Sequence, residues 1–157
     1  NNTVKVLKAI KFCKQVHLSV DVVIGPDSPY KEEVLNFSLN MKNTKCFDFV
    51  ENMAEMMSNS DLFIGSAGTT TWERCCMGLP SIVIGIAENQ IQPMKALELA
   101  GMTFFLGSEE RVNSADIAMT LNNILETPSV LVGMRKKSLE LVDGYGTSRC
   151  VSEILIN

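Results

Sequence analysis

The chain has 157 residues, which is the usual size of a single globular domain that can bury its own core. Its formal net charge is −4, and it has no run of Lys and Arg, so nucleic acid is excluded as the main partner. No apolar segment approaches the roughly 18 residues that mark a membrane-spanning helix.

In chain order, the apolar periodicity first predicts a helix that is capped by Asn2 or Thr3, extends to about Gln15 and ends near His17. Runs of β-branched and apolar residues then predict five strands, at residues 19–24, 44–49, 61–64, 81–86 and 103–106. The segments between and after these strands predict seven more helices, at residues 30–40, 53–58, 70–77, 92–100, 114–126, 129–142 and 147–156.

This alternation of strands and helices predicts an α/β fold, a Rossmann-like parallel sheet flanked by helices. Residues 1–157 are expected to form one domain, because no internal linker or repeat interrupts the pattern. The order begins with a helix, whereas an α/β domain usually begins with a strand. We therefore expect the chain to be a fragment of a longer protein that supplies the first strand.

The cysteines and the single histidine give no sign of a metal or acid–base centre. None of the five cysteines forms a Cys-x-x-Cys pair, and His17 has no Cys or His neighbour in sequence. Adjacent Cys75 and Cys76 would point to different sides of a helix. Free thiols in a reducing cytoplasm are the simplest interpretation, and we expect no metal, no cofactor and no catalytic residue.

The most informative segment is residues 61–74, Asp-Leu-Phe-Ile-Gly-Ser-Ala-Gly-Thr-Thr-Thr-Trp-Glu-Arg. An apolar strand ends in a loop of small residues, and the loop opens a helix. The free amides and the dipole of a helix N-terminus form a ready anion site. Gly65 and Gly68 would let the backbone approach a diphosphate. The cap and hydroxyl donors would come from Thr69, Thr70 and Thr71.

Each of these residues also has an interpretation that involves no ligand. The loop could be an ordinary strand-to-helix turn, since such turns are common in α/β folds. Glu73 could favour the helix dipole without binding anything. We interpret Trp72 as a packing anchor on the helix rather than as a platform on which a base stacks.

Three segments together resemble one enzyme family. They are residues 50–57 (Val-Glu-Asn-Met-Ala-Glu-Met-Met), residues 61–80, which end in Trp-Glu-Arg-Cys-Cys-Met-Gly-Leu-Pro, and residues 88–90 (Glu-Asn-Gln). They resemble the C-terminal domain of the hydrolases that release UDP from UDP-2,4-diacetamido-2,4,6-trideoxy-β-L-altropyranose in pseudaminic acid biosynthesis. These enzymes belong with the family 28 glycosyltransferases of GT-B fold. The Trp72–Pro80 string is typical of the hydrolases, and the glycine loop with Glu73 is common to the wider superfamily.

The resemblance implies that the chain is the C-terminal half of a GT-B fold and that its partner is UDP or a UDP-sugar. It places the ribose at Glu73 and the uracil at Val50 and Met53. The sugar or phosphate would meet Asn89 and Gln90, for which helix capping is an equally good interpretation. The phosphates would meet Gly65, Ser66, Ala67, Gly68, Thr69 and Thr70.

Two departures from the family pattern affect the expected activity. Ala67 stands where the hydrolases usually have glycine, which could tighten the loop. The histidine thought to activate water in the hydrolases belongs to an N-terminal domain that this sequence does not include, so we expect the isolated chain to be inactive. The hydrolase could be fused to an acylneuraminate cytidylyltransferase. A UDP-GlcNAc-type glycosyltransferase and a non-catalytic nucleotide-sugar binding module remain alternatives for the whole protein.

Overall fold

The computed structural model of the chain describes residues 1–13 and 17–156. Five strands alternate with helices over the first two thirds of the chain, and three helices follow. The strands are β1 (Val20–Val23), β2 (Thr44–Phe47), β3 (Phe63–Ser66), β4 (Ser81–Gly85) and β5 (Phe104–Ser108). The helices are α1 (Asn2–Lys11), α2 (Lys31–Ser38), α3 (Met53–Ser58), α4 (Thr70–Met77), α5 (Glu88–Leu99), α6 (Ser114–Glu126), α7 (Ser129–Leu141) and α8 (Gly146–Ile156).

All strand pairs are parallel, and they form two sheets in the described residues. One sheet holds β1 and β2, and the other has the order β3-β4-β5. Every residue of β4 is buried, because this strand is paired on both edges and covered on both faces. The predicted α/β class with a parallel sheet flanked by helices is confirmed.

Helix α1 packs against both sheets. Val4 and Leu7 lie in one apolar cluster with Val22 of β1, whereas Val6 and Ala9 lie in a second cluster with residues of β4 and α6. In the described part of the chain, β1 pairs only with β2 and β3 pairs only with β4. The two sheets are therefore joined by the apolar faces of α1, and β1 and β3 each keep an edge without a partner strand in the described residues.

The parallel direction of the strands brings their following loops to one edge of the sheets. The loops after β2, β3 and β4 lead into α3, α4 and α5, so the N-termini of these helices lie at that edge. Helices α3 and α4 are also in contact with each other. This is the edge at which open α/β folds bind their ligands.

The predicted and observed elements differ at several ends, three of which are in α1, β3 and α5. Helix α1 is capped by Asn1 and ends at Lys11, so the prediction was too long; Gln15 lies outside the described residues. Phe12 follows the helix as its C-cap residue and is exposed. His17 is exposed in the segment before β1 and does not end the helix.

The other two differences lie near the glycine loop. Strand β3 continues to Ser66 because Gly65 and Ser66 pair with β4. Helix α5 begins at Glu88, four residues before the predicted start, and Pro93 lies inside it. A proline is normally read as a helix start, whereas here the Gln90 side chain accepts a hydrogen bond from the Ile86 amide at 2.9 Å and stabilises an earlier start. None of the helices in the described residues combines the length and the apolar character needed to cross a bilayer.

Candidate functional site

The connection between β3 and α4 is short and is tied to the sheet at one point. The amide of Ala67 donates to the carbonyl of Ile84 at 2.9 Å, and the Ala67 methyl is buried with Val83 and Met94. This amide is already paired and this methyl packs inward, so Ala67 does not tighten the outer part of the loop. Gly68 and Thr69, by contrast, are exposed.

The N-terminus of α4 has no side-chain cap. Thr69 occupies the N-cap position in a helical conformation, and its hydroxyl makes no capping hydrogen bond. The expected cap at Thr69 is therefore not formed. The amides of Thr71 and Trp72 donate to the carbonyls of Gly68 and Thr69 at 3.0 Å, so the donors left without a partner in the described residues are the amides of Thr69 and Thr70. These two amides lie at the positive end of the helix dipole. Such an end can bind a phosphate or carboxylate group.

The hydroxyl of Thr71 is used inside the structure. Thr71 is buried, and its Oγ1 accepts hydrogen bonds from the amide of Gly68 at 3.5 Å and from the Arg74 guanidinium at 2.9 Å. Thr71 thus links the loop to the first turn of α4 and contributes to the shape of the site.

The two glycines of the loop have different surroundings. A Cβ on Gly65 would lie 2.6 Å from Cζ of Phe63, so the absence of a side chain there makes room for the Phe63 ring. A Cβ on Gly68 would meet nothing within 4 Å. Neither glycine has a positive φ. The space that a ligand could use therefore lies at Gly68, and Gly65 serves packing within the protein.

Glu73 and Trp72 lie on the first turn of α4 and face solvent. The Glu73 carboxylate is exposed, where it could accept hydrogen bonds from a ligand hydroxyl. Trp72 is 50% exposed, so the expectation that it is a packing anchor is wrong. Both side chains stand beside the uncapped helix end, which agrees with a site that is open to solvent.

The predicted uracil residues lie on the neighbouring connection. Val50 is half-buried in the loop after β2, and Met53 is the first residue of α3 and also half-buried. Asn52 caps α3 by accepting a hydrogen bond from the Glu55 amide at 3.1 Å. Since α3 contacts α4, the structure brings this loop to the same edge as Gly68.

Asn89 and Gln90 lie in the first turn of α5, at the same edge. Gln90 accepts a hydrogen bond from the amide of Ile86, which precedes the helix, whereas no side chain caps α5; Asn89 is exposed. A depression of about 260 Å³ lies beside them, lined by Gly85, Ile86, Ala87, Glu88, Ile91, Ser108 and Glu110.

A second cavity, of about 310 Å³, is lined by uncharged residues that are distant from the glycine loop in sequence: Phe104, Thr120, Asn123, Ile124, Thr127 and Val130.

One residue of the site carries a feature that the sequence pattern did not reveal. Arg74 is 1% exposed, although it follows two exposed residues on α4. Its guanidinium lies 4.1 Å from the centre of the Phe63 ring. The only signal in the sequence is the spacing, since positions 71 and 74 share one face of a helix.

The thiols and the histidine play no visible part in the site. Burial raises the pKa of the Cys75 thiol, so this group is a poor nucleophile at neutral pH. His17 precedes β1 and so stands at the opposite edge from the glycine loop. Within the described residues, no three His, Cys, Asp or Glu side chains are arranged to hold a metal ion.

The sequence profile of the glycosyltransferase family 28 C-terminal domain matches residues 1–143, which is most of the chain. The chain belongs to this family. The match includes the glycine loop, Glu73 and the connection after β4, and it therefore covers every residue of the site described above.

The family 28 domain has relatives that are longer proteins. Spore coat polysaccharide biosynthesis protein SpsG of Bacillus subtilis is 27% identical over 127 residues, which cover 81% of this chain and 38% of the relative. The UDP-N-acetylglucosamine–N-acetylmuramyl-(pentapeptide) pyrophosphoryl-undecaprenol N-acetylglucosamine transferase of Idiomarina loihiensis is 27% identical over 154 residues, 94% of this chain and 42% of the relative. The chain thus spans about two fifths of their length.

Solved structures show the same fold. The crystal structure of Acinetobacter baumannii MurG matches 99% of this chain and 46% of its own, with a TM-score of 0.79 and 19% identity. The spinosyn forosaminyltransferase SpnP matches 96% of this chain and 38% of its own, with a TM-score of 0.65 and 14% identity. These likenesses confirm the expected fold, the C-terminal half of a GT-B fold.

The two glycines of the family 28 domain should respond differently to alanine. Gly65→Ala should destabilise the fold by about 1–3 kcal/mol, because the new methyl displaces Phe63. Gly68→Ala should change stability by less than about 0.5 kcal/mol. It should weaken the binding of UDP, the ligand that the resemblance implies, on the order of tenfold, or about 1.4 kcal/mol.

Urea unfolding and calorimetric titration measure the two effects separately. If Gly68→Ala bound UDP as tightly as the unchanged chain, the ligand would not lie against Gly68. If Gly65→Ala left the unfolding midpoint unchanged, the close packing of Phe63 against the strand would not contribute to stability.

Proposed function

We propose that this domain binds the UDP portion of a UDP-sugar and places the diphosphate at the N-terminus of α4. The observation that carries the proposal is the uncapped helix end beside the open space at Gly68. The exposed amides there can hydrogen-bond phosphate oxygens, and the helix dipole favours their negative charge. Ser66, Thr69 and Thr70 would complete the phosphate contacts.

The nucleoside would lie along α4 toward α3. Glu73 is exposed on the first turn of α4, where its two oxygens could accept hydrogen bonds from both ribose hydroxyls. The loop at Val50 leads into the neighbouring helix α3, which begins at Met53. The backbone groups of this loop would meet the uracil edge. Asn89 would contact the sugar or phosphate, while Gln90 shapes the loop after β4.

For the whole protein, we propose hydrolysis of a UDP-sugar in the synthesis of a nonulosonic acid, in the cytoplasm. The string from Trp72 to Pro80 supports this assignment, because it is the part of the sequence that resembles the hydrolases most specifically. The relationship to a spore coat polysaccharide protein supports a role in surface polysaccharide synthesis. The relationship to an N-acetylglucosamine transferase favours a second candidate, the donor-binding half of a glycosyltransferase.

We also propose that the chain works as one part of a longer protein. Strands β1 and β3 each have an edge without a partner strand in the described residues, and α1 packs across both sheets. A strand before α1 would fit between β1 and β3 and give one continuous sheet. Helix α8 exposes Val151, Ile154 and Leu155, which a further domain could cover.

This arrangement predicts that the isolated 157-residue chain releases UDP from UDP-sugars only at background rates. General acid–base groups typically contribute about 10²–10⁴-fold to a rate, and the resemblance places the histidine that activates water in an N-terminal domain. A coupled assay for UDP release should detect turnover only in a longer protein. Turnover by the isolated chain near one per second would contradict the proposal, and His17→Ala would then be the first variant to examine.

Titration calorimetry with UDP and ADP tests the binding proposal. UDP should bind more tightly than ADP, because the loop at Val50 is expected to recognise uracil. Glu73→Ala should weaken UDP binding by about 1–3 kcal/mol, the usual range for hydrogen bonds to a charged group. Its melting temperature should hardly change, since a first-turn Glu contributes only about 0.3–1 kcal/mol to a helix.

Glu126→Ala is the matched control, because it removes the same charge from an exposed glutamate at the far end of α6. It should leave UDP binding unchanged. Equal affinity for UDP and ADP would count against uracil recognition. Unchanged UDP affinity in Glu73→Ala, together with a large loss of thermal stability, would make Glu73 a structural residue.

A further inference from the structure

Arg74 is a buried cation without a counter-charge. Its side chain is 1% exposed, and it takes part in none of the ion pairs among the described residues. Its Nε and Nη1 are buried and have no hydrogen-bond partner in the same part of the chain. Buried polar groups are nearly always hydrogen-bonded and buried charges paired, so an arginine in this state needs an explanation.

The guanidinium lies directly beneath the glycine loop. Its Nη2 donates to Oγ1 of Thr71 at 2.9 Å, and the same oxygen accepts from the amide of Gly68 at 3.5 Å. Two hydrogen bonds through Thr71 therefore connect Arg74 to Gly68, beside which the open space lies. The Phe63 ring supports its other side at 4.1 Å.

Packing alone does not explain the choice of residue. Burial lowers the pKa of Arg74 to about 10 from the usual 12.5, which shows that desolvation disfavours its charged form, yet the group stays charged at neutral pH. Glu73 is the adjacent residue, but its carboxylate is exposed and forms no ion pair with Arg74 in the described chain. An apolar side chain would pack on Phe63 without the cost of burying a charge.

We propose that Arg74 is a positioning residue for the anion site, which holds Gly68 through Thr71 and supplies positive charge under the loop. The inference rests on the proposed function, since the diphosphate would be the missing counter-charge. Arg74 acts through Thr71 and through its field, and it does not contact the ligand. Its charge is screened only weakly, because water is excluded from its surroundings.

The test compares two substitutions at Arg74 and two ligands of different charge. Arg74→Gln removes the charge but can still donate a hydrogen bond to Thr71, whereas Arg74→Lys keeps the charge. The ligands are UDP and uridine, titrated into the purified protein at pH 6.5, where a buried lysine is better able to keep its charge. Arg74→Gln should weaken UDP binding about tenfold or more and should weaken uridine binding by less than about twofold.

Arg135→Gln is the matched control, since Arg135 lies on α7 and its Nη1 donates at 3.5 Å to the carbonyl of Gly78, at the C-terminal end of α4. It should leave the UDP-to-uridine affinity ratio unchanged, and Arg74→Lys should keep most of that ratio. If each of the two variants, Arg74→Gln and Arg74→Lys, lost the same factor of affinity for UDP as for uridine, Arg74 would be structural and the inference would be wrong.

The same experiment separates failure of the inference from failure of the proposed function. If the unchanged protein did not bind UDP at millimolar concentration, the proposed function would fail. If it bound UDP and Arg74→Gln bound UDP equally well, only the role of Arg74 would fail. Should Arg74→Gln not fold, the Arg74→Lys ratio still decides the question, because a retained charge should retain the preference for UDP.

Discussion

The site depends on the parallel pairing of β3 with β4. Strand β4 is buried throughout, and its carbonyl at Ile84 accepts the amide of Ala67, the first residue after β3. This bond fixes where the chain leaves the sheet and therefore where α4 begins. With the turn held at Ala67, the next residues emerge at the carboxyl edge, where the amides of Thr69 and Thr70 have no partner in the described residues.

The two glycines of the loop have different roles: one allows close packing inside the protein, and the other leaves space for a ligand. Gly65 gives space to Phe63, and Phe63 in turn supports the buried guanidinium of Arg74. Gly68 leaves open space on the outer side. The same four-residue stretch, 65–68, thus contains one glycine required by the interior and one that keeps the surface accessible. The uncapped end of α4 and the unpaired charge of Arg74 are both costs to the free protein that a bound anion would relieve.

The sequence predicted the elements around the site well where apolar periodicity and turn residues agree. Helix α4 lies at residues 70–77 as predicted, because the small residues before it and Gly78 after it mark both ends. The left-handed conformation of Gly78 explains why the helix stops there. Helices α3 and α6 also agree at both ends with the prediction, since Asn52 and Asn113 cap them.

Tertiary contacts decide the features that the sequence did not predict. Pairing with β4 extends β3 into Gly65 and Ser66, and a local pattern does not contain that contact. Most arginines lie at a protein surface, but the packing of α4 on Phe63 buries Arg74. The ligand contacts of Glu73 and Val50 remain predictions, because they concern a molecule and not the fold.

Amide chemical shifts during a UDP titration test the central claim most directly, since they report where on the chain the diphosphate binds. If the N-terminus of α4 is the anion site, the largest changes in a ¹H–¹⁵N spectrum should occur at Gly68, Thr69 and Thr70. Inorganic pyrophosphate should shift the same amides, while changes at Val50 and Met53 should require UDP. Saturable changes confined to other residues, such as those around the cavity at Phe104 and Thr120, would contradict the account.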